Sequence, residues 1–221
     1  MKTRAVYFSA TYTTRKVVEH VAQRLSDEVT LYYITNDADT TEIIVPQDEL
    51  LIVGIPVYAG RVPAMAIERI KRFKGEGTRA VALAIYGNRD YDDALLELSD
   101  LLSENNFLVI SAGAFIAQHS IFPKVGANRP DAEDYKLMDD FADETLTILG
   151  KENRELLPIH IRGNRQYGKN RYENCRGVSV GWGRLDAGSN RLCFGQSRLG
   201  WIFHWLRCKG MLRSRLVRLW I

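Results

Sequence analysis

The chain has 221 residues, 46% hydrophobic and 26% charged, a composition that excludes collagen, a coiled coil and a wholly disordered chain. Its longest apolar stretch, Leu50 to Gly60, is interrupted by Pro56 and is too short for a membrane-spanning helix, which needs about 20 residues. The net charge of +3 hides a split: residues 1–150 carry 15 Lys and Arg against 23 Asp and Glu, a net of −8, and residues 151–221 carry 15 against 4, a net of +11.

Two compositions this different rarely share one core. They predict a domain over 1–150, a linker over 151–167 and a basic tail over 168–221. Residues 4–9 read as a short buried strand, and Thr13 to Leu25 as a helix with Val17, Val18, Val21, Ala22 and Leu25 on one face. Val29 to Ile34 is a second strand. Thr35 to Glu49 is polar and irregular. Leu50 to Ile55 is apolar on both faces, as a central parallel strand should be. Pro63 can occupy the first turn of a helix running to about Phe73, because that position needs no amide donor. Gly75-Glu76-Gly77 is expected to end it. Ala80 to Tyr86 is a fourth strand, Tyr91 to Glu104 a helix, and Phe107 to Ala117 a fifth strand. Asp131 opens a last helix carrying Leu137, Met138, Phe141 and Leu149, and Gly150 closes it.

Strands alternating with helices imply an α/β three-layer sandwich with a parallel sheet. Five strands in about 150 residues fit the flavodoxin-like order 2-1-3-4-5, in which a ligand sits beyond the carboxyl ends of the strands beside the first one. The loops after the first, third and fourth strands are therefore the places to look for chemistry.

The first of these loops is Ser9-Ala10-Thr11-Tyr12-Thr13-Thr14. A helix N-terminus offers free amides and partial positive charge to a phosphate, and hydroxyls add donors. The plainer reading is that Thr11, Thr13 or Thr14 caps the helix. The second is Pro56-Val57-Tyr58-Ala59-Gly60, continuing through Arg61 and Val62 to Pro63. Two prolines bracket an aromatic and a glycine, giving a stiff loop that presents a flat ring, or simply a tight connection. The third is Tyr86-Gly87-Asn88-Arg89-Asp90-Tyr91. Its amides suit a heteroaromatic edge and its tyrosines a ring face, while Asp90 or Asp92 could cap the next helix. Together the three loops ask for a phosphorylated planar cofactor. His119, just past the fifth strand, could touch the ligand or a partner, but with no second ligand candidate nearby it reads as a hydrogen-bonded structural histidine, and His20 as a surface one.

The stretches Phe8-Ser-Ala-Thr-Tyr-Thr-Thr14, Gly54-Ile-Pro-Val-Tyr-Ala-Gly-Arg-Val-Pro63, Tyr86-Gly-Asn-Arg-Asp-Tyr-Asp-Asp93 and Gln118-His-Ser-Ile-Phe122 resemble the flavodoxin-like domain of bacterial flavodoxin–ferredoxin fusion proteins. The resemblance covers about residues 3–150. It implies FMN, with Ser9, Thr11, Tyr12, Thr13 and Thr14 on the phosphate. It implies Pro56, Val57, Tyr58, Ala59 and Gly60, with Tyr86, Gly87, Asn88, Arg89, Asp90 and Tyr91, around the ring. The family's phosphate loop carries Gly where this chain has Tyr12, which is costly if the position needs positive φ. An electron carrier of this kind needs no acid, base or nucleophile, because the cofactor does the redox chemistry. The net −8 suits docking to basic redox partners, and the resemblance implies a redox protein partner, a ferredoxin-type protein or a reductase.

In such fusions a linker like Ile161-Arg-Gly-Asn-Arg-Gln-Tyr167 leads to a ferredoxin. A two-cluster ferredoxin needs eight cysteines in two compact runs. This chain has only Cys175, Cys193 and Cys208, so no iron–sulfur cluster is expected. Three readings of the tail compete. One is a non-native or disordered segment read in a shifted frame, since Arg, Gly, Trp and Cys, all from codons with a central G, supply 28 of residues 151–221. Another is a membrane-surface or partner-binding helix built from Leu199–Arg207 and Met211–Ile221. Nucleic-acid binding is the weakest, for no motif accompanies the charge, and none is expected. The first residues run into a strand without an apolar signal region, so the expected location is cytoplasmic. Rival functions are an FMN-dependent reductase of a quinone or other small acceptor, a flavin-free binding module with a membrane-surface tail, and a phospho-receiver. The last would need acidic residues after the first strand, where this chain has hydroxyls.

Overall fold

The computed structural model describes residues 1–152, 159–165 and 167. Its elements in chain order are β1 (Thr3–Tyr7), α1 (Thr13–Leu25), β2 (Val29–Tyr33), β3 (Ile43–Val45), β4 (Leu50–Pro56), α2 (Ala64–Ile70), β5 (Phe73–Gly75), β6 (Thr78–Tyr86), α3 (Ala94–Glu104), β7 (Phe107–Ile116) and α4 (Ala132–Leu149). The main sheet is parallel with order β2-β1-β4-β6-β7, which is 2-1-3-4-5 when its own strands are counted along the chain. This is the flavodoxin-like fold.

Burial follows the sequence pattern. The central strand β4 is buried from Leu50 to Ile55, as its unbroken apolar run requires. Helix α1 buries Val17, Val18, Val21, Ala22 and Leu25 in one cluster with Ile52 and Leu83 of the sheet and with Met138, Phe141 and Ala142 of α4. Each such Val or Leu contributes about 1.5–3 kcal/mol by leaving water. Helix α3 contacts β6 and β7 through its Ala94, Leu95, Leu98, Leu101 and Leu102 stripe. Helix α4 opens as expected. The Asp131 carboxylate accepts the Glu133 and Asp134 amides, Asp134 returns the bond, and Gly150 ends the helix.

Three expectations need correction. The Thr35–Glu49 segment is not wholly irregular: β3 pairs in parallel with β5, forming a separate two-stranded sheet. Helix α2 stops at Ile70 instead of about Phe73, because Phe73 and Gly75 belong to β5. Helix α3 starts at Ala94 instead of Tyr91. The Asp90 carboxylate captures the amides of Tyr91 and Asp92 in a turn, and Asp92 has a φ of 46°.

The compact unit containing the main sheet extends through Arg165. Ile161 is buried against it. Arg162 pairs with Asp90 at 2.6 Å and lies over the Tyr91 ring at 4.8 Å. The Asn164 amide donates to Asp93 at 2.9 Å, and Arg165 pairs with Asp100 at 2.9 Å. The tail readings, and Cys175, Cys193 and Cys208 with them, lie outside the described residues. Among the described residues no helix is long and apolar enough to cross a membrane.

Candidate functional site

Because β1, β4 and β6 are neighbours in one parallel sheet, the loops that follow them leave the same edge side by side. The first loop begins at Ser9, which is 1% exposed. Ser9 Oγ accepts the Arg15 amide at 3.2 Å, and the Tyr12 carbonyl accepts the Lys16 amide at 3.1 Å. The amides of Thr13 and Thr14 are the first two of α1 and have no intrahelical acceptor. The N-cap residue is Tyr12, and no side chain of its own caps the helix. The threonines therefore do not serve as the cap; Ser9 does. Thr11 Oγ1 and Thr13 Oγ1 lie 3.4 Å apart at the surface, while Thr14 is buried. Tyr12 has φ 63° and ψ −2°, so the position does lie in the left-handed region that a glycine occupies freely.

The second loop is a tight hairpin. Tyr58 and Arg61 exchange both backbone hydrogen bonds at 3.0 Å, and Ala59 and Gly60 between them both have positive φ. Val57 donates to Ile85, which extends β4 alongside β6. Tyr58 is 40% exposed, with a phenol pushed up by burial of its inner part. Arg61 and the Val62 amide both bind the Glu97 carboxylate of α3, at 2.8 and 2.9 Å. Glu97 is 8% exposed, and its three bonds tie the loop to the rigid layer beneath.

The third loop meets the second. The Gly60 carbonyl accepts the Asp93 amide at 3.2 Å, and a Cβ on Gly60 would stand 2.5 Å from Asp92 Oδ2. Asp92 is paired with Arg89. Asn88 has a φ of 61°. Tyr86 and Tyr91 meet edge to face at 5.8 Å, and Tyr91 is buried with Arg162 over its ring. Burial, with the Asp90 carboxylate adding to it, pushes the Tyr86 phenol up to about 12. Neither Asp90 nor Asp92 caps α3; its N-cap is Asp93, whose side chain makes no capping bond to the helix and accepts the Asn164 amide instead.

A fourth segment, residues 117–130, closes the edge. His119 packs on Gly87, where a Cβ would meet its ring at 2.6 Å. Its Nδ1 accepts the amides of Ile121 and Phe122 at 3.1 and 3.2 Å, the structural role expected, and burial lowers its pKa. That bonding leaves the proton on Nε2 in the neutral ring. Ile121 and Phe122 are exposed beside it. His20 is half-exposed and pairs with Asp139 at 2.9 Å. Among the described residues no group of three or more His, Cys, Asp or Glu could hold a metal ion.

Sequence reasoning did not find the contacts that join the loops. Glu97, Asp92 and Thr35, whose Oγ1 accepts the Ser9 amide at 2.6 Å, lie 26 to 36 residues from the loop residues they meet. No local pattern marks them. The Arg61–Glu97 pairing of charges is the one signal a sequence could offer.

No protein-family model matches the sequence, and a search of curated proteins finds no match. Solved structures do match. A flavodoxin from the domain Archaea shares 11% identity, covering 68% of this chain and all of its own, at a TM-score of 0.44. An NADH:FMN oxidoreductase shares 16% identity over 69% of this chain and 92% of its own, at 0.48. A flavodoxin from Streptococcus pneumonia TIGR4 shares 18% identity over 66% of this chain and 98% of its own, at 0.46.

Proposed function

We propose that this chain binds FMN at the carboxyl edge of its main sheet and carries electrons to or from a redox protein. The observation that carries the reading is the first loop. Ser9 supplies the cap, so the Thr11 and Thr13 hydroxyls and the first two amides of α1 remain as donors at a positive helix end. That donor set fits a phosphate monoester. Next to it, Tyr58 presents a partly exposed ring on a hairpin held to Glu97, and the backbone of residues 86–89 lies beside it in the sheet order. An aromatic face and backbone donors fit the ring of a flavin. Bound there, the cofactor would supply the electron chemistry, and the protein's part is to hold it and shape access to it. The sequence resemblance to flavodoxin–ferredoxin fusions makes a ferredoxin-type protein or a reductase the class of partner.

The test is the double variant Thr11→Ala, Thr13→Ala. Loss of two donors to a dianion should cost about 2 kcal/mol, or roughly thirty-fold in Kd for FMN. The melting temperature of the flavin-free protein should hardly move, since both hydroxyls are at the surface. An unchanged FMN affinity removes the phosphate assignment.

A further inference from the structure

The phosphate loop is set from outside itself. Every polar group of Ser9 is engaged: its amide donates to Thr35 Oγ1 at 2.6 Å, its carbonyl accepts the Tyr33 hydroxyl at 3.3 Å, and its Oγ accepts the Arg15 amide at 3.2 Å. Two of those three partners come from β2 and the residues just beyond it. Thr35 is held in turn. Arg69, in the last turn of α2, donates through Nη1 to the Ile34 carbonyl at 2.8 Å and to the Thr35 carbonyl. Ser9 and Thr35 are both buried, so water cannot replace a lost partner at little cost. Tyr33 is 38% exposed and contributes its hydroxyl from the surface side.

We propose that Thr35, seated by Arg69 and assisted by Tyr33, is a positioning residue that selects for the phosphate end of the ligand. By fixing Ser9, it fixes where the chain leaves β1 and where the first amides of α1 point. The group touches no ligand itself. Its effect reaches only the donors that follow Ser9, and the hairpin at Tyr58 is held independently by Glu97. The proposal rests on the FMN reading, and it predicts a selectivity that the reading alone does not.

The experiment compares FMN with riboflavin, which has the same ring and no phosphate, by fluorescence titration of the full-length protein. Wild type should bind both, FMN more tightly. Thr35→Val removes the acceptor for the Ser9 amide at nearly the same volume. It should weaken FMN about ten-fold and leave riboflavin within two-fold. Thr35→Ser should restore FMN binding. Tyr33→Phe loses one partly exposed hydroxyl and should fold normally, with a smaller loss confined to FMN. Equal FMN affinity in Thr35→Val and Tyr33→Phe overturns the proposal, as does a parallel loss of both flavins. A wild-type protein that binds neither flavin refutes the FMN reading itself and this selectivity with it.

Discussion

Gly60→Ala probes the joint between the second and third loops. Gly60 has a φ of 80°, and its added Cβ would stand 2.5 Å from Asp92 Oδ2, 2.8 Å from Asp92 Cβ and 2.9 Å from Asp92 Cγ. Placing Ala in the left-handed region costs about 1–2 kcal/mol. Asp92 cannot turn away freely, because its amide is bound to Asp90 Oδ1 and its carboxylate to Arg89. Overpacking there adds about 1–3 kcal/mol. The expected loss is therefore about 2–5 kcal/mol, a fall in melting temperature of roughly 5–20 °C for a domain of this size. Gly77→Ala is the control. It has a φ of 76°, but its Cβ would meet nothing nearer than Gln47 Nε2 at 3.9 Å, so only the backbone cost of about 1–2 kcal/mol applies. Equilibrium urea unfolding followed by circular dichroism measures both. Asp92→Ala should recover part of the loss in the Gly60→Ala background and none in the Gly77→Ala background. Equal losses in the two glycine variants, or no recovery, would refute the contact between the loops.

Two further expectations follow from titration. The Tyr86 phenol lies near 12 in the folded protein against 10.0 when free, so it is protonated longer when folded. Its contribution to stability is full below the unfolded value and is lost as pH rises from about 10 toward 12; Tyr86→Phe should make the alkaline slope shallower, the phenols of Tyr7, Tyr58 and Tyr91 being raised by burial as well, read by urea midpoints. Glu49 is buried beneath Arg4, whose guanidinium donates to it at 2.5 Å and holds its carboxyl below the ordinary 4.5. The stability it adds is present above the unfolded value and is lost as pH falls through the folded one. Glu49→Gln should flatten the acid limb of the stability profile, and an unchanged limb counts against the assignment.

The sheet was readable because its evidence is local and long. Leu50–Ile55 and Ala80–Tyr86 are apolar runs of a length that only a buried strand uses here, and Asp131 with Gly150 brackets α4 by cap chemistry alone. The small sheet was not readable. Ile43–Val45 and Phe73–Gly75 are three residues each, too short for a period to show, and each becomes a strand only by pairing with the other across 30 residues. Within the site, the glycine that the resembled family carries at Tyr12 raised the question of positive φ there, and only the backbone answers it, with a φ of 63°. Capping by Ser9 instead of a threonine was not, since the oxygen acts from six residues away. The docking of Ile161–Arg165 on Asp90, Tyr91 and Asp100 was equally hidden, because a short basic segment reads as a linker until its acidic partners are located.

Titration of the flavin-free, full-length protein with FMN tests the central claim most directly. Saturable one-to-one binding is expected, with loss of free-flavin fluorescence and weaker binding of riboflavin. Flavin fluorescence that stays unquenched at protein excess would contradict it.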